Sequence, residues 1–191
     1  MPLRRLGWLV CVIYATIPSF WLIIHPRVAY WRARRNSPYR LLIPLWIGTW
    51  VALGVTTSPW RNATFYSTVW TWIPAAFLFG IGLWLYKCSG KGFSGAQLSG
   101  LPEVMPAHPE QRLSTSGIRA RVRHPVYLAH LCEMLAWSVG TGLIVCFGLT
   151  TIALISGAIM IQLEDRELEQ RFGDQYRQYR KTTPAILPRV F

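Results

Sequence analysis

Val126–Leu163 reads VYLAHLCEMLAWSVGTGLIVCFGLTTIALISGAIMIQL, 38 residues without a single lysine or arginine. As one helix it would be about 57 Å long at roughly 1.5 Å per residue, nearly twice a bilayer's hydrocarbon core of about 30 Å. Gly140-Thr141-Gly142 lies near its middle and supplies a turn. The stretch therefore predicts a tight hairpin of two helices, Val126–Val139 and Leu143–Leu163. The first arm is short, which suits an interfacial start or packing against neighbouring helices.

Three more apolar runs precede the hairpin, at Leu6–Ile24, Leu41–Thr57 and Val69–Tyr86. Each is close to the roughly 17–25 residues that cross a bilayer. The chain is 52% hydrophobic and 15% charged, against roughly 25% charged for a soluble domain. The expected fold is an all-α integral membrane bundle of about five transmembrane helices. Residues 1–191 form a single membrane domain, with motif-free helices over 1–79 and the chemistry-bearing part over 80–191. Pro18, Pro44 and Pro74 fall inside these spans, where neighbouring helices satisfy the carbonyls that proline frees. Cys11, Cys88, Cys132 and Cys146 are scattered without disulfide or metal spacing, and no metal site is expected.

Charge sets the orientation. Twenty Lys+Arg face eight Asp+Glu, a net charge of +12, yet the cations sit between apolar runs. That placement fits headgroup-facing loops and argues against nucleic acid as a partner. Seventeen of the cations lie in His25–Arg40, Lys87–Arg123 and the tail after Leu163; only Arg4, Arg5 and Arg61 lie elsewhere. Cytoplasmic loops are enriched in basic residues, so the expectation is an outside N-terminus and a cytoplasmic C-terminus. Arg4 and Arg5 resemble a signal-peptide start, but no small-residue cleavage site follows, and the first helix is expected to remain. The tail over Glu164–Lys181 spaces Leu168, Phe172, Tyr176 and Tyr179 three and four apart. It reads as an amphipathic helix over the mouth of the bundle. Ser89–Ser116, rich in Gly, Ser and Pro, reads as a loop or short helical pieces, and a loop of this length is often functional.

A hairpin returns to the face it left. Arg121-Val122-Arg123-His124-Pro125-Val126-Tyr127 at its entrance and Glu164-Asp165-Arg166-Glu167 at its exit should therefore be neighbours. Cations, an imidazole, a phenol and adjacent carboxylates suit a zwitterionic cofactor with ribose hydroxyls. Composition does not choose among such cofactors. Arg123 alternatively anchors to phosphate headgroups, and Tyr127 alternatively belongs to an interfacial aromatic belt. Within the span, His130 and Glu133 sit three apart on the face of Tyr127. They form either a relay that accepts a proton from a substrate or a mutually hydrogen-bonded structural pair.

The order of short motifs carries more. LSTSGIRARVRHPVY at Leu113–Tyr127, and EDRELEQRFGDQYRQYRKTTPAILP at Glu164–Pro188, resemble the isoprenylcysteine carboxyl methyltransferase and phospholipid methyltransferase superfamily. GLWLYKCSGKGFSG at Gly82–Gly95 adds to the resemblance, which covers about Gly80–Pro188. It implies an enzyme using S-adenosyl-L-methionine, with His124, Pro125, Val126 and Tyr127 on the cofactor-binding His-Pro-x-Tyr. Gln111, Arg112, Leu113 and Ser114 fall on the stretch that also lines that pocket. Glu164 falls on the first acid of a Glu-Glu pair, and Asp165 replaces the second with a shorter reach. Arg119 stands where the family has an aromatic that packs on the cofactor. Ala129 replaces a frequent glycine, and Ala185 a frequent arginine.

Methyl transfer from a sulfonium needs placement and water exclusion rather than a metal or a covalent intermediate. The resemblance thus implies methylation of a membrane-partitioned lipophilic acceptor, either a lipid amine or another lipophilic nucleophile, with the bilayer as the surrounding partner. Arg123, His130 and Glu133 are the candidate catalytic groups. Three alternatives stand beside this reading: an isoprenylcysteine-type carboxyl methyltransferase, an NADPH-dependent sterol-reductase-like enzyme, and a non-catalytic membrane scaffold. In the isoprenylcysteine branch an arginine four residues before the first acid engages the substrate. Here that position is Met160, which argues against a carboxylate acceptor. Oligomeric state is left open.

Overall fold

A computed structural model describes residues 2–33, 39–90 and 113–187. Among these residues seven α-helices follow in chain order: α1 Pro2–Ile24, α2 Val28–Arg32, α3 Tyr39–Thr57, α4 Trp72–Gly90, α5 Pro125–Thr141, α6 Ile144–Phe172 and α7 Asp174–Thr182. Four stretches are long and apolar enough to cross a membrane: Pro2–Trp31, Tyr39–Trp60, Val69–Gly90 and Ile144–Phe172. The fifth long helix, α5, has 17 residues and so reaches about 26 Å. It is the short arm that the sequence predicts, and it packs between α4, α1 and α6. The all-α membrane bundle is thus borne out, with no strands among the described residues.

The hairpin turns where its glycines predict, with helix α5 running to Thr141. Gly142 caps it in the left-handed region (φ 66°) and donates its N–H to Ser138 O at 2.9 Å. A Cβ on Gly142 would lie 2.4 Å from the Tyr66 carbonyl oxygen, so conformation and space both require glycine. The 61–68 loop clamps this turn. Phe65 N–H donates to Gly142 O at 2.9 Å, Ile144 N–H to Ala63 O at 3.0 Å, and the Tyr66 hydroxyl to Val139 O at 3.0 Å. Arg4 bonds Ser67, which puts the N-terminus at this end. The motif residues gather at the other.

Helix α1 is the spine. Its Cys11, Val12 and Ala15 pack with Met134 of α5 and Val145, Cys146 and Leu149 of α6 in a buried core. Helices α4 and α5 approach closely at Gly82, where a Cβ would meet Glu133 Cγ at 2.8 Å and Ala129 O at 3.2 Å. Small residues at such crossings let backbones approach where lipid removes the hydrophobic drive. Helix α3 packs on α1 and turns Leu41, Ile43, Leu45, Val51 and Val55 outward, a surface suited only to lipid. Pro18 and Pro44 lie inside α1 and α3. Pro74 instead lies in the first turn of α4, where its missing N–H costs nothing.

One expectation is corrected. The tail is not a separate amphipathic helix over Glu164–Lys181. Helix α6 runs unbroken from the span through Glu164 to Phe172, 29 residues. The chain breaks only at Gly173 (φ 58°) before α7. Four of the six residues at Glu164–Glu169 are acidic, but they keep the helical hydrogen-bond ladder because their side chains find ion-pair partners. The break falls at the one residue there that tolerates positive φ.

Candidate cofactor site

The segment after α7 folds back onto the entrance of α5. Arg123 N–H donates to Pro184 O and His124 N–H to Ala185 O, both at 2.9 Å. His124 is thereby fixed immediately before α5, with Pro125 as the first helical residue, where proline loses no hydrogen bond. The sequence expectation that entrance and exit meet holds in the geometry. His124 Nε2 lies 3.0 Å from Asp165 Oδ1, and Nδ1 lies 3.4 Å from Glu164 Oε2. Tyr127 stacks on His124 with centroids 5.7 Å apart and also engages Glu164.

Asp165 is the hub. It accepts from Arg123 Nη2 at 2.7 Å and from the Tyr176 hydroxyl, and Arg180 Nε lies 3.7 Å away. Arg123 Nη1 donates to the carbonyls of Thr183 and Arg180, while its buried Nε has no hydrogen-bond partner among the described residues. Its side chain is 8% exposed. It ties α7 to α6. Burial by itself disfavours an imidazolium at His124, but Glu164 and Asp165 outweigh burial and push its pKa up to about 9. Burial and the Asp165 carboxylate push the Tyr176 phenol upward, so it stays a donor to that carboxylate.

Arg119 sits on the turn Gly117–Ala120, its Nη1 3.3 Å from Arg123 O, and the Tyr179 hydroxyl donates to its carbonyl at 2.6 Å. Together with Ser114, Ser116, Cys88 and Ser89 it lines a cavity of about 170 Å³ beside the end of α4. Leu113 is half-buried next to it. Gln111 and Arg112 lie outside the described residues. Val126 uses its carbonyl inside α5, facing His130 Nδ1 at 2.8 Å.

His130 and Glu133 lie apart from this cluster, in the middle of the bundle, and each has a different partner. Glu133 accepts from the Tyr14 hydroxyl at 2.7 Å. The His130 ring lies edge-to-face between Tyr14 and Tyr86, at 5.1 and 5.3 Å. Polar groups thus cross-link α1, α4 and α5.

Sequence reasoning missed His25, named Glu167 only as part of the exit cluster, and saw Tyr176 only as a helix-packing position. His25 begins the turn that ends α1 and is 6% exposed. Its ring stacks on Trp21 at 5.3 Å, and its Nδ1 lies 4.0 Å from Glu167 Oε2. An imidazole at the end of an otherwise apolar run was the available signal.

No family model and no solved structure matches the chain. Three curated proteins do. Methanethiol S-methyltransferase 2 of Bradyrhizobium diazoefficiens is 30% identical over 152 residues, covering 78% of this chain and 51% of the relative. Methanethiol S-methyltransferase 1 of the same organism is 37% identical over 78 residues, 40% of this chain and 26% of the relative. Protein-S-isoprenylcysteine O-methyltransferase B of Arabidopsis thaliana is 34% identical over 84 residues, 41% of each. The chain spans about half the length of the first and less of the others. Its relatives are methyltransferases of two acceptor types, and the chain is similar, at modest identity, to members of the isoprenylcysteine carboxyl methyltransferase family.

Proposed function

We propose that this protein is an S-adenosylmethionine-dependent methyltransferase acting on a small lipophilic nucleophile drawn from the membrane, a thiol first among them. The observation that carries the reading is the convergence of His124, Tyr127 and Glu164 from the two ends of the hairpin. The residues suit the cofactor. Glu164 Oε2 is buried, contacts His124 only at ion-pair distance, and has no hydrogen-bond partner among the described residues. It is thus an acceptor for an ammonium or a ribose hydroxyl. Tyr127 offers a ring face, and Ser114 and Arg119 line the adjoining cavity. Bound there, the cofactor supplies an electrophilic methyl on a sulfonium. Asp165, Arg123 and Tyr176 act on this site by position, holding His124 and α7 in place. His130 and Glu133 are best read as an interlock between helices, since their hydrogen bonds are internal.

Two observations favour a thiol over a carboxylate. Met160, where the isoprenylcysteine branch carries its arginine, is fully buried, and α6 holds no basic residue before Arg166. A carboxylate entering there would lose its hydration without a cationic partner on that helix. Two of the three relatives are named for methanethiol. The seventeen basic residues on the site's side of the predicted topology support a cytoplasmic site and C-terminus. Detergent-purified protein with methyl-labelled cofactor, offered an alkyl thiol, a lipophilic amine, an ethanolamine phospholipid and a prenylcysteine analogue, tests the acceptor. We expect the thiol to exceed the prenylcysteine in kcat/KM by about tenfold or more, one discriminating contact's worth. Preference for the prenylcysteine would show that another cation replaces the missing arginine.

A further inference from the structure

A thiol that reaches the protein through the bilayer arrives protonated, because the thiolate is costly to place in hydrocarbon. The thiolate is the nucleophile, so the proton must leave inside the protein, to a base with an uncommitted lone pair. Of the four histidines, His108 lies outside the described residues. Both nitrogens of His124 face carboxylates, and His130 Nδ1 faces the Val126 carbonyl. Glu133 accepts from Tyr14, and both it and His130 lie in the middle of the bundle, apart from His124 and Glu164. His25 differs from all of these: both of its nitrogens are buried and find no hydrogen-bond partner among the described residues. It lies among electrostatic neighbours that include Glu164 and His124, in a wall of apolar side chains built by Trp21, Ile24 and Trp31.

We propose that His25, backed by Glu167, takes the proton from the acceptor thiol, an inference that rests on the thiol reading above. Glu167 gives Oε1 to Arg171, whose Nε lies 2.9 Å away, and leaves Oε2 unpartnered 4.0 Å from His25 Nδ1. That gap is too long for a hydrogen bond, but an imidazolium at His25 would draw the carboxylate in, and catalytic contacts are commonly loose before substrate binds. In the balanced step, the S–H proton passes to a His25 nitrogen as the thiol sulfur bonds the methyl carbon. The sulfonium C–S bond breaks with its pair returning to the donor sulfur, leaving a thioether and an imidazolium beside Glu167. The site thereby includes a residue of the first helix, outside the motif-bearing half.

The test separates proton removal from cofactor binding. His25→Gln should bind S-adenosylhomocysteine within about threefold of wild type by calorimetry, while kcat with an alkyl thiol falls about 100-fold, the low end for losing a general base. With an acidic aromatic thiol, already ionised at the assay pH, the loss should shrink to about fivefold or less, because no base is needed. Glu167→Gln should show the same split at about tenfold. Equal losses on both thiols, no loss, or weakened S-adenosylhomocysteine binding would overturn the assignment. If wild-type protein methylates no thiol, the thiol reading falls first and this inference with it. If wild type methylates thiols and His25→Gln does so equally well, only the inference falls.

Discussion

At the motif end of the bundle His124 sits between two carboxylates; in the middle His130 sits between two tyrosine rings. The two are six residues apart, and each has an acid nearby, yet their surroundings differ in what is left over. The mid-bundle groups are closed on themselves: Tyr14 donates to Glu133, and His130 faces a helix carbonyl. The end cluster holds ionised groups, and Glu164 Oε2, Glu167 Oε2 and both His25 nitrogens have no hydrogen-bond partner among the described residues. A buried polar group without a partner costs about 1–3 kcal/mol.

That contrast can be broken by mutation. The largest effect is expected at Glu164. Glu164→Gln should weaken S-adenosylhomocysteine about 30-fold or more, a charge-assisted hydrogen bond's worth. Unchanged affinity by calorimetry would remove Glu164 from the site. Tyr14→Phe should do the reverse. It strips Glu133 of its donor and should cost about 1–3 kcal/mol of stability, read as a lowered Tm, while cofactor affinity stays within about twofold. A change in affinity instead of stability would place the mid-bundle cluster in the chemistry after all.

The smallest effect concerns pH. His124 has its folded pKa raised from 6.5 to about 9 by Glu164 and Asp165. A raised pKa means stability that is fully present below about pH 6.5 and fades as pH climbs through about 9. Tm should therefore fall by a few degrees between pH 7 and 9.5, and His124→Asn should flatten that slope. An equal slope in the variant would assign the effect to other groups.

Much of this was legible in the chain. The 38-residue apolar stretch with a glycine pair at its centre leaves no folded form in a bilayer except a hairpin. The hairpin in turn forces His124 and Glu164 to one end. The tail was misread because charge alone was taken to end the span. Helical hydrogen bonds continue through Glu164, and only Gly173 permits the break. The local signal at His25, an imidazole at the end of an apolar run, names no partner. Its partners Glu167 and Trp21 lie 142 residues after it and four before, and only the first of these distances is closed by the fold.

Local patterns of polarity and glycine thus determined the helices, the hairpin and the meeting of its two ends, because backbone hydrogen bonding in lipid admits so few alternatives. The pairing of side chains was decided by the packing of α1 against α5 and α6. That packing made Arg123 a clasp, Asp165 a hub, and His130 and Glu133 an interlock, and it brought His25 to Glu167. No periodicity encodes these contacts, because each depends on which faces of helices distant in sequence come to touch.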